Sequence, residues 1–149
     1  MRRVLLLSLP LWLLSLPAAA ASCGEVVGRL NQTLRPAVNQ TELAEMLDSL
    51  NASGNRQLPA KFVTKNQARD AGWRPGRDLW SVPGLGGKSI GGDRFGNREG
   101  QLPPGKWREA DLDFKGGKRG AKRLLFSSDG RRQVTVDHYR SFVEVPTCK

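Results

Sequence analysis

The stretch WREADLDF, residues 107–114, changes polarity with a period of two. Successive side chains of a strand point to opposite faces, so Ala110, Leu112 and Phe114 fall on one face and Trp107, Glu109, Asp111 and Asp113 on the other. The apolar face requires a core behind it. The other face sets Glu109 on an open, polar surface. Downstream, KRLLFSS (122–128), RQVTVDHY (132–139) and SFVEV (141–145) read as further strands, separated by GGKRGA, DGR and a tight turn near Tyr139 to Ser141. Short connections of this kind join antiparallel neighbours.

Upstream, the pattern changes. GEVVGRLNQTLRPAV can form a short helix that Pro36 would interrupt. NQTELAEMLDSL is a firmer helix: Asn39 is an N-cap with Glu42 three residues on, and Leu43, Met46, Leu47 and Leu50 recur at helical spacing. NASGNRQLP reads as a loop, and TKNQARDAGW as a third helix capped by Thr64 and ended at Gly72. From Arg74 to Lys106 the chain is rich in Gly and Pro and reads mostly as loops with short extended pieces. Helices first and strands after give an α+β fold with an antiparallel sheet.

The ends of the chain address location. Arg2 and Arg3, the run VLLLSLPLWLLSLP and the small residues AAAAS read as an export signal over residues 1–21, leaving residues 22–149 as one domain. The apolar run is short and broken by Pro10 and Pro17, which disfavours a membrane span and any stable membrane association. Cys23 and Cys148 are the only cysteines and sit at the two ends of the exported chain. In an oxidising compartment they read as a disulfide joining the termini. The alternative is an acylated Cys23, although Ala20 occupies the place where a lipoprotein signal usually has Leu. No cysteine–histidine cluster offers a transition-metal site, so no metal or other cofactor is expected.

The formal net charge is +10, of which Arg2 and Arg3 contribute two. A surface this basic favours polyanions, without choosing among nucleic acid, acidic polysaccharide and anionic membrane. GLGGKS imitates the end of a phosphate-binding loop, but Val82 stands where that motif needs its first glycine. His138 is the only histidine. An antiparallel meander can bring it to the same face as Glu109, with Arg119 and Arg123 between. A carboxylate and an imidazole around a cationic centre suit proton transfer at a phosphodiester. A charged sheet face without catalysis has the same composition, so a non-catalytic basic binder of RNA or other polyanions remains the alternative.

Longer ordered pieces narrow the choice. LPAKFVTKNQARDAGW, GKSIGGDRFGNREGQLP, WREADLDF, KRGAKRLLFSSD and TVDHYRSF resemble the barnase-like, guanyl-preferring secreted microbial ribonucleases, most strongly over residues 58–145. The resemblance implies N-terminal helices packed on a five-stranded antiparallel sheet. It implies a secreted, metal-independent endoribonuclease that cuts single-stranded RNA after guanosine through a 2′,3′-cyclic phosphate. By resemblance Glu109 is the general base, His138 the general acid, Arg119 and Arg123 the phosphate-binding arginines, and Lys65 a stabiliser of the transition state. Backbone N–H groups at Asn97 and Arg98 and the carboxylate of Glu99 would read the guanine, with Phe95, Arg98 and Tyr139 bracketing base or phosphate. The resemblance further implies a monomer, an intracellular barstar-like inhibitor protein as partner, and, from some relatives, the bridge between Cys23 and Cys148. Departures are a shorter segment between Leu102 and Trp107, a longer loop before Lys88, and Gly96 where Ser is commoner.

Overall fold

The computed structural model describes residues 20–149 together with Trp12 and Leu14, so most of the expected export signal lies outside the described residues. Among the described residues no helix is long and apolar enough to cross a membrane. Ser22 caps the first helix, α1 (Cys23–Leu30), its hydroxyl accepting from the Glu25 N–H at 3.1 Å. Pro36 does not end this helix. Asn31 does so earlier: its side-chain amide donates to the Val38 carbonyl at 2.8 Å and accepts from the Val38 N–H at 3.0 Å, folding the chain back on itself.

The second helix, α2 (Gln40–Ser53), has Asn39 as its N-cap, accepting from the Glu42 N–H at 2.9 Å. Glu42 does not return the bond. Its carboxylate accepts from the Asp113 N–H at 2.8 Å and pairs with Lys61, while the Asn39 N–H donates to Asp113 at 2.9 Å. The helix start is thereby tied to residues that follow the WREAD strand. The helix runs to Ser53, into the stretch expected as loop, and ends on Gly54 in the left-handed conformation (φ 63°). Leu43, Met46, Leu47 and Leu50 are all fully buried. The third helix, α3 (Lys65–Asp70), carries the complete capping box of Thr64 and Gln67.

The strands are β1 (Phe62–Val63), β2 (Ser89–Phe95), β3 (Trp107–Asp111), β4 (Arg123–Ser127), β5 (Arg132–Thr135) and β6 (Val143–Glu144), in that order across one sheet. Five of them, β2 to β6, form the expected antiparallel meander; β1 adds a sixth, parallel to β2, so the sheet is mixed. β2 lies in the stretch expected to be mostly loop. Its glycines have a packing cause: a Cβ on Gly91 would stand 2.6 Å from the Phe62 ring and 2.9 Å from the Ala110 Cβ. Between Gly91 and Asp93 the register slips by a bulge, and Gly92 there has φ 100°.

The chain leaves the β3 ladder after Leu112, and Asp113 turns it at φ 58°. Phe114 consequently departs from the face expected for it. Ala110 and Leu112 join α1, α2, Leu124, Phe126 and Val134 in the main core, whereas Phe114 packs with Ala68, Trp73, Leu79, Val82, Leu85 and Ile90 in a second one. A third cluster, centred on Leu102, Trp107 and Leu125, lies on the opposite face of the sheet with Phe95, Tyr139 and Phe142 against it. Cys23 and Cys148 form the disulfide, 125 residues apart, and this resolves the two readings of Cys23 in favour of the bridge. Closing so long a loop stabilises by roughly 5 kcal/mol in the chain-entropy model.

The crowding at Gly91 gives a direct check. Gly91→Ala is expected to destabilise by about 1–3 kcal/mol, as overpacking does, because Phe62 and Ala110 must both retreat. Gly86→Ala, where an added Cβ meets nothing within 4 Å, is the control and should change stability by no more than about 0.5 kcal/mol. Denaturant unfolding of the two variants compares them.

Candidate active site

Side chains alternate along each strand, so the face opposite the helices receives Asp93 and Phe95 from β2, Trp107, Glu109 and Asp111 from β3, and Arg123 and Leu125 from β4. Glu109 does not stand on an open face. It is 9% exposed, in register with Asp93 on one side and Leu125 on the other, above the third apolar cluster. One carboxylate oxygen accepts from the Tyr139 hydroxyl at 2.6 Å; Oε1 accepts no hydrogen bond from the described residues. Burial first, and the Glu109 carboxylate second, push the Tyr139 phenol up to about 12. Tyr139 therefore stays a neutral donor over any ordinary pH.

The two arginines are held by a carboxylate that the sequence left without a role. Arg119 grips Asp111 with two parallel bonds, Nε and Nη2 each donating at 2.7 Å. That hydrogen bonding is the main reason the Arg119 guanidinium is raised above its ordinary value. Arg123 lies in register with Asp111 across β3 and β4. Its Nε is 3.0 Å from Asp111 Oδ1 but its N–H is not aimed there, so the contact is an ion pair and not a hydrogen bond. Nη1 of Arg123 donates to the carbonyls of Gly120 and Lys122 at 2.7 and 2.8 Å. Arg119 Nη1 and Arg123 Nη2 have no hydrogen-bond partner among the described residues, which leaves donors for an anion.

His138 does not close β5, which ends at Thr135; it sits in the turn that follows. His138 and Tyr139 both adopt left-handed conformations (φ 55° and 69°), which cost about 1–3 kcal/mol each for residues other than glycine. Asp137 compensates. Its carboxylate accepts from the Ser141 hydroxyl at 2.6 Å, the Ser141 N–H at 2.9 Å and the Thr135 hydroxyl at 2.9 Å. The two Ser141 bonds above all hold the Asp137 carboxyl down at about 2. The Tyr139 N–H donates to Thr135 Oγ1 and the His138 N–H to the Ala121 carbonyl, both at 3.0 Å. The imidazole is exposed, its ring centre 4.8 Å from that of Tyr139.

Lys65 opens α3, and its backbone N–H donates to Asp93, the register neighbour of Glu109, at 3.0 Å. Its ammonium makes no hydrogen bond or ion pair among the described residues. At the end of β2, residues Phe95 to Glu99 of FGNREG wall a cleft of about 650 Å³ together with Arg94, Gln101 and Tyr139. Asn97, at φ 47°, uses its side chain on the loop itself, donating to the Leu102 carbonyl at 2.8 Å and accepting from the Leu102 N–H at 3.1 Å. The backbone N–H groups of Asn97, Arg98 and Glu99 have no acceptor among the described residues, and the exposed Glu99 carboxylate has no partner there either. Phe95 stacks on Tyr139 at 5.4 Å between ring centres, 23° from parallel.

The fold thus brings the expected residues to one surface. Glu109, Tyr139 and His138 are linked by contact; Arg119 and Arg123 share Asp111; Phe95, Asn97, Arg98 and Glu99 line the adjoining cleft. Lys65 is joined to them through Asp93. Asp111, Asp137 and Asp93 are the anchoring residues that sequence reasoning did not single out. The signal for Asp111 was present, since it lies two residues from Glu109 on the same strand face. Among the described residues no group of three or more His, Cys, Asp or Glu is arranged to hold a metal ion.

Comparison with known proteins identifies the family. A family model described as ribonuclease matches residues 47–146. A ribonuclease of Heyndrickxia coagulans is 45% identical over 94 residues, which are 60% of this chain and 84% of that one. Ribonucleases of Bacillus intermedius and Bacillus pumilus show the same 45% identity over 94 residues, but there the match spans 57% of their length. With the family model covering well over half of its length, the chain belongs to the ribonuclease family.

Proposed function

We propose that the protein is an exported endoribonuclease that cleaves single-stranded RNA after guanosine without a metal ion. The observation that carries this reading is Tyr139, which touches both the Glu109 carboxylate and the His138 ring beside an arginine pair fixed by Asp111. One proton acceptor and one proton donor therefore flank a single anion site.

In the first step Glu109 takes the proton of the ribose 2′-hydroxyl, and the 2′-oxygen attacks the adjacent phosphorus. The bond from phosphorus to the 5′-oxygen breaks, and His138, as imidazolium, protonates that departing oxygen. The products are a 2′,3′-cyclic phosphate and a free 5′-hydroxyl. In the second step a water gives its proton to His138 and opens the ring, while Glu109 returns a proton to the 2′-oxygen. The free donors of Arg119 and Arg123, with the Lys65 ammonium, stabilise the charge that grows on the phosphoryl oxygens. DNA lacks the nucleophile and is not cut.

Guanine selection rests on the loop. The free N–H groups of Asn97 and Arg98 suit the guanine carbonyl, and the Glu99 carboxylate suits its ring N–H and amino group. Phe95 and Tyr139 supply a stacked aromatic wall for the base. Adenine presents an amino group where guanine has its carbonyl, and leaves the carboxylate without its ring donor, so both sides of the site lose partners.

Two measurements test these assignments. Wild-type protein should fragment RNA in the presence of EDTA, and His138→Gln should lose at least about 100-fold in kcat while remaining folded. RNA that is bound but left intact by wild-type protein would favour the non-catalytic binder. Glu99→Ala should lower kcat/KM on guanosine dinucleotides by about 10- to 150-fold, the worth of about 1.5–3 kcal/mol of charge-assisted bonding, with a much smaller fall on adenosine ones. Fragment ends of a random RNA that fall evenly after all four bases in the wild type would remove the guanine assignment alone.

A further inference from the structure

The face of the sheet away from Glu109 carries a second concentration of cations. Arg94 on β2 is in register with Arg108 on β3, Arg108 with Phe126 on β4, and Phe126 with Arg132 on β5. Three arginines therefore stand in one row across four strands. Like charges directly opposite one another on antiparallel strands are destabilising. Among the described residues no carboxylate relieves them, since the ion pairs there involve none of the three. Arg94 and Arg108 are exposed.

Beside the row opens a groove of about 490 Å³ whose walls also carry Arg56 and Lys106 and include no acidic residue. Arg132, at the end of the row, is 7% exposed; one Nη donates to Asn55 at 2.8 Å, and its buried Nε has no hydrogen-bond partner. Asn55 and Phe126, which flank Arg132, line the groove. The contrast with the other face is chemical. There Asp111 pairs with both Arg119 and Arg123, whereas here a comparable set of guanidinium groups pairs with no carboxylate among the described residues.

We propose that this groove is a non-catalytic binding site for the phosphate backbone of the RNA strand, outside the nucleotides at the scissile bond. The inference rests on the ribonuclease reading above for the identity of the polyanion. Its position favours a flexible strand: the groove and the base cleft meet at Arg94, Phe95 and Gly96, so a chain leaving the cleft meets the first arginine of the row at their shared wall. A bilayer is flat and would meet only the rims of a groove. The consequence is a dependence on length, in which long RNA gains affinity that a dinucleotide cannot.

The test is the double variant Lys106→Ser with Arg108→Ser, both outside the base cleft. Binding of a short single-stranded oligodeoxynucleotide, which the proposed chemistry cannot cut, is followed by fluorescence anisotropy over a series of salt concentrations. Each phosphate neutralised on a single strand contributes about −0.7 to the slope of log K against log salt, so the variant's slope should be shallower by about 1.4. Its kcat/KM should fall on long RNA and hold on a guanosine dinucleotide. Its melting temperature should not drop, since removing Arg108 relieves the repulsion with Arg94; Arg56→Ser, on a loop, is the second variant and should make the slope shallower by about 0.7.

An unchanged slope in both variants overturns the proposal, as does a parallel loss on dinucleotide and long RNA. Retained oligonucleotide binding with lost binding to phosphatidylglycerol vesicles also overturns it and makes the face a membrane patch. If the wild type cleaves no RNA, the ribonuclease reading fails by itself, and the anisotropy series still decides the groove.

Discussion

The buried carboxylate of Asp111 is the constraint from which the rest of the site follows. It is 2% exposed, and a charge so placed is tolerable only with partners held close to it. Arg119 supplies two parallel hydrogen bonds from the loop, and Arg123 supplies an ion pair from the start of β4. The demand works in both directions. Asp111 is buried because the arginines neutralise it, and the Gly-rich loop carrying Arg119 is drawn onto the sheet because the carboxylate would otherwise accept no hydrogen bond from the described side chains. Removing one partner of such a cluster typically costs about 3–5 kcal/mol, much of it the penalty on the charge left behind. Two cations are thus fixed side by side with one countercharge between them, an arrangement left with spare donors for an anion.

Around this centre, local strain and local hydrogen bonding are matched. Consecutive left-handed residues at His138 and Tyr139 are unfavourable for any side chain other than glycine. They persist because Asp137 and Thr135 satisfy the backbone N–H groups of Ser141 and Tyr139. The sharp reversal sends the Tyr139 hydroxyl inward to Glu109 and leaves the imidazole outside, in solvent. An extended continuation of β5 would have alternated the two side chains across the sheet instead. The turn therefore determines that the histidine and the carboxylate serve one surface.

Much of this was legible in the sequence, for reasons particular to each element. α2 announces itself through Asn39 and through three leucines and a methionine at helical spacing, and β3 through the alternation of WREAD. Local signals of this kind are strong because cap chemistry and periodicity act over a few residues. β2 was not legible, because its glycines answer to Phe62, a residue distant in sequence, and to a bulge that only the register reveals. Phe114 moved to another core because Asp113 bends the chain, and that bend is fixed by Glu42 on α2. The site residues came from ordered motif matches. Their anchors, Asp111 and Asp137, did not, since a carboxylate's partner across a loop cannot be read before the loop is closed.

The two faces of the sheet show why a count of charges could not locate function. A formal net charge of +10 says that anions are attracted and nothing about where they rest. On the face of Glu109, arginines are paired with an internal carboxylate, so their geometry is fixed before any ligand arrives, as catalysis requires. On the opposite face, Arg94 stands directly against Arg108, with Arg132 beyond Phe126 in the same row, and none of the three has a carboxylate partner among the described residues. A preorganised pair suits a transition state whose charge must be met at fixed positions. An unneutralised row suits a flexible polymer, which adjusts its own phosphates to the cations and releases counterions as it does so. In the proposed reading, one sheet separates the fixed electrostatics of chemistry from the adaptable electrostatics of holding the substrate.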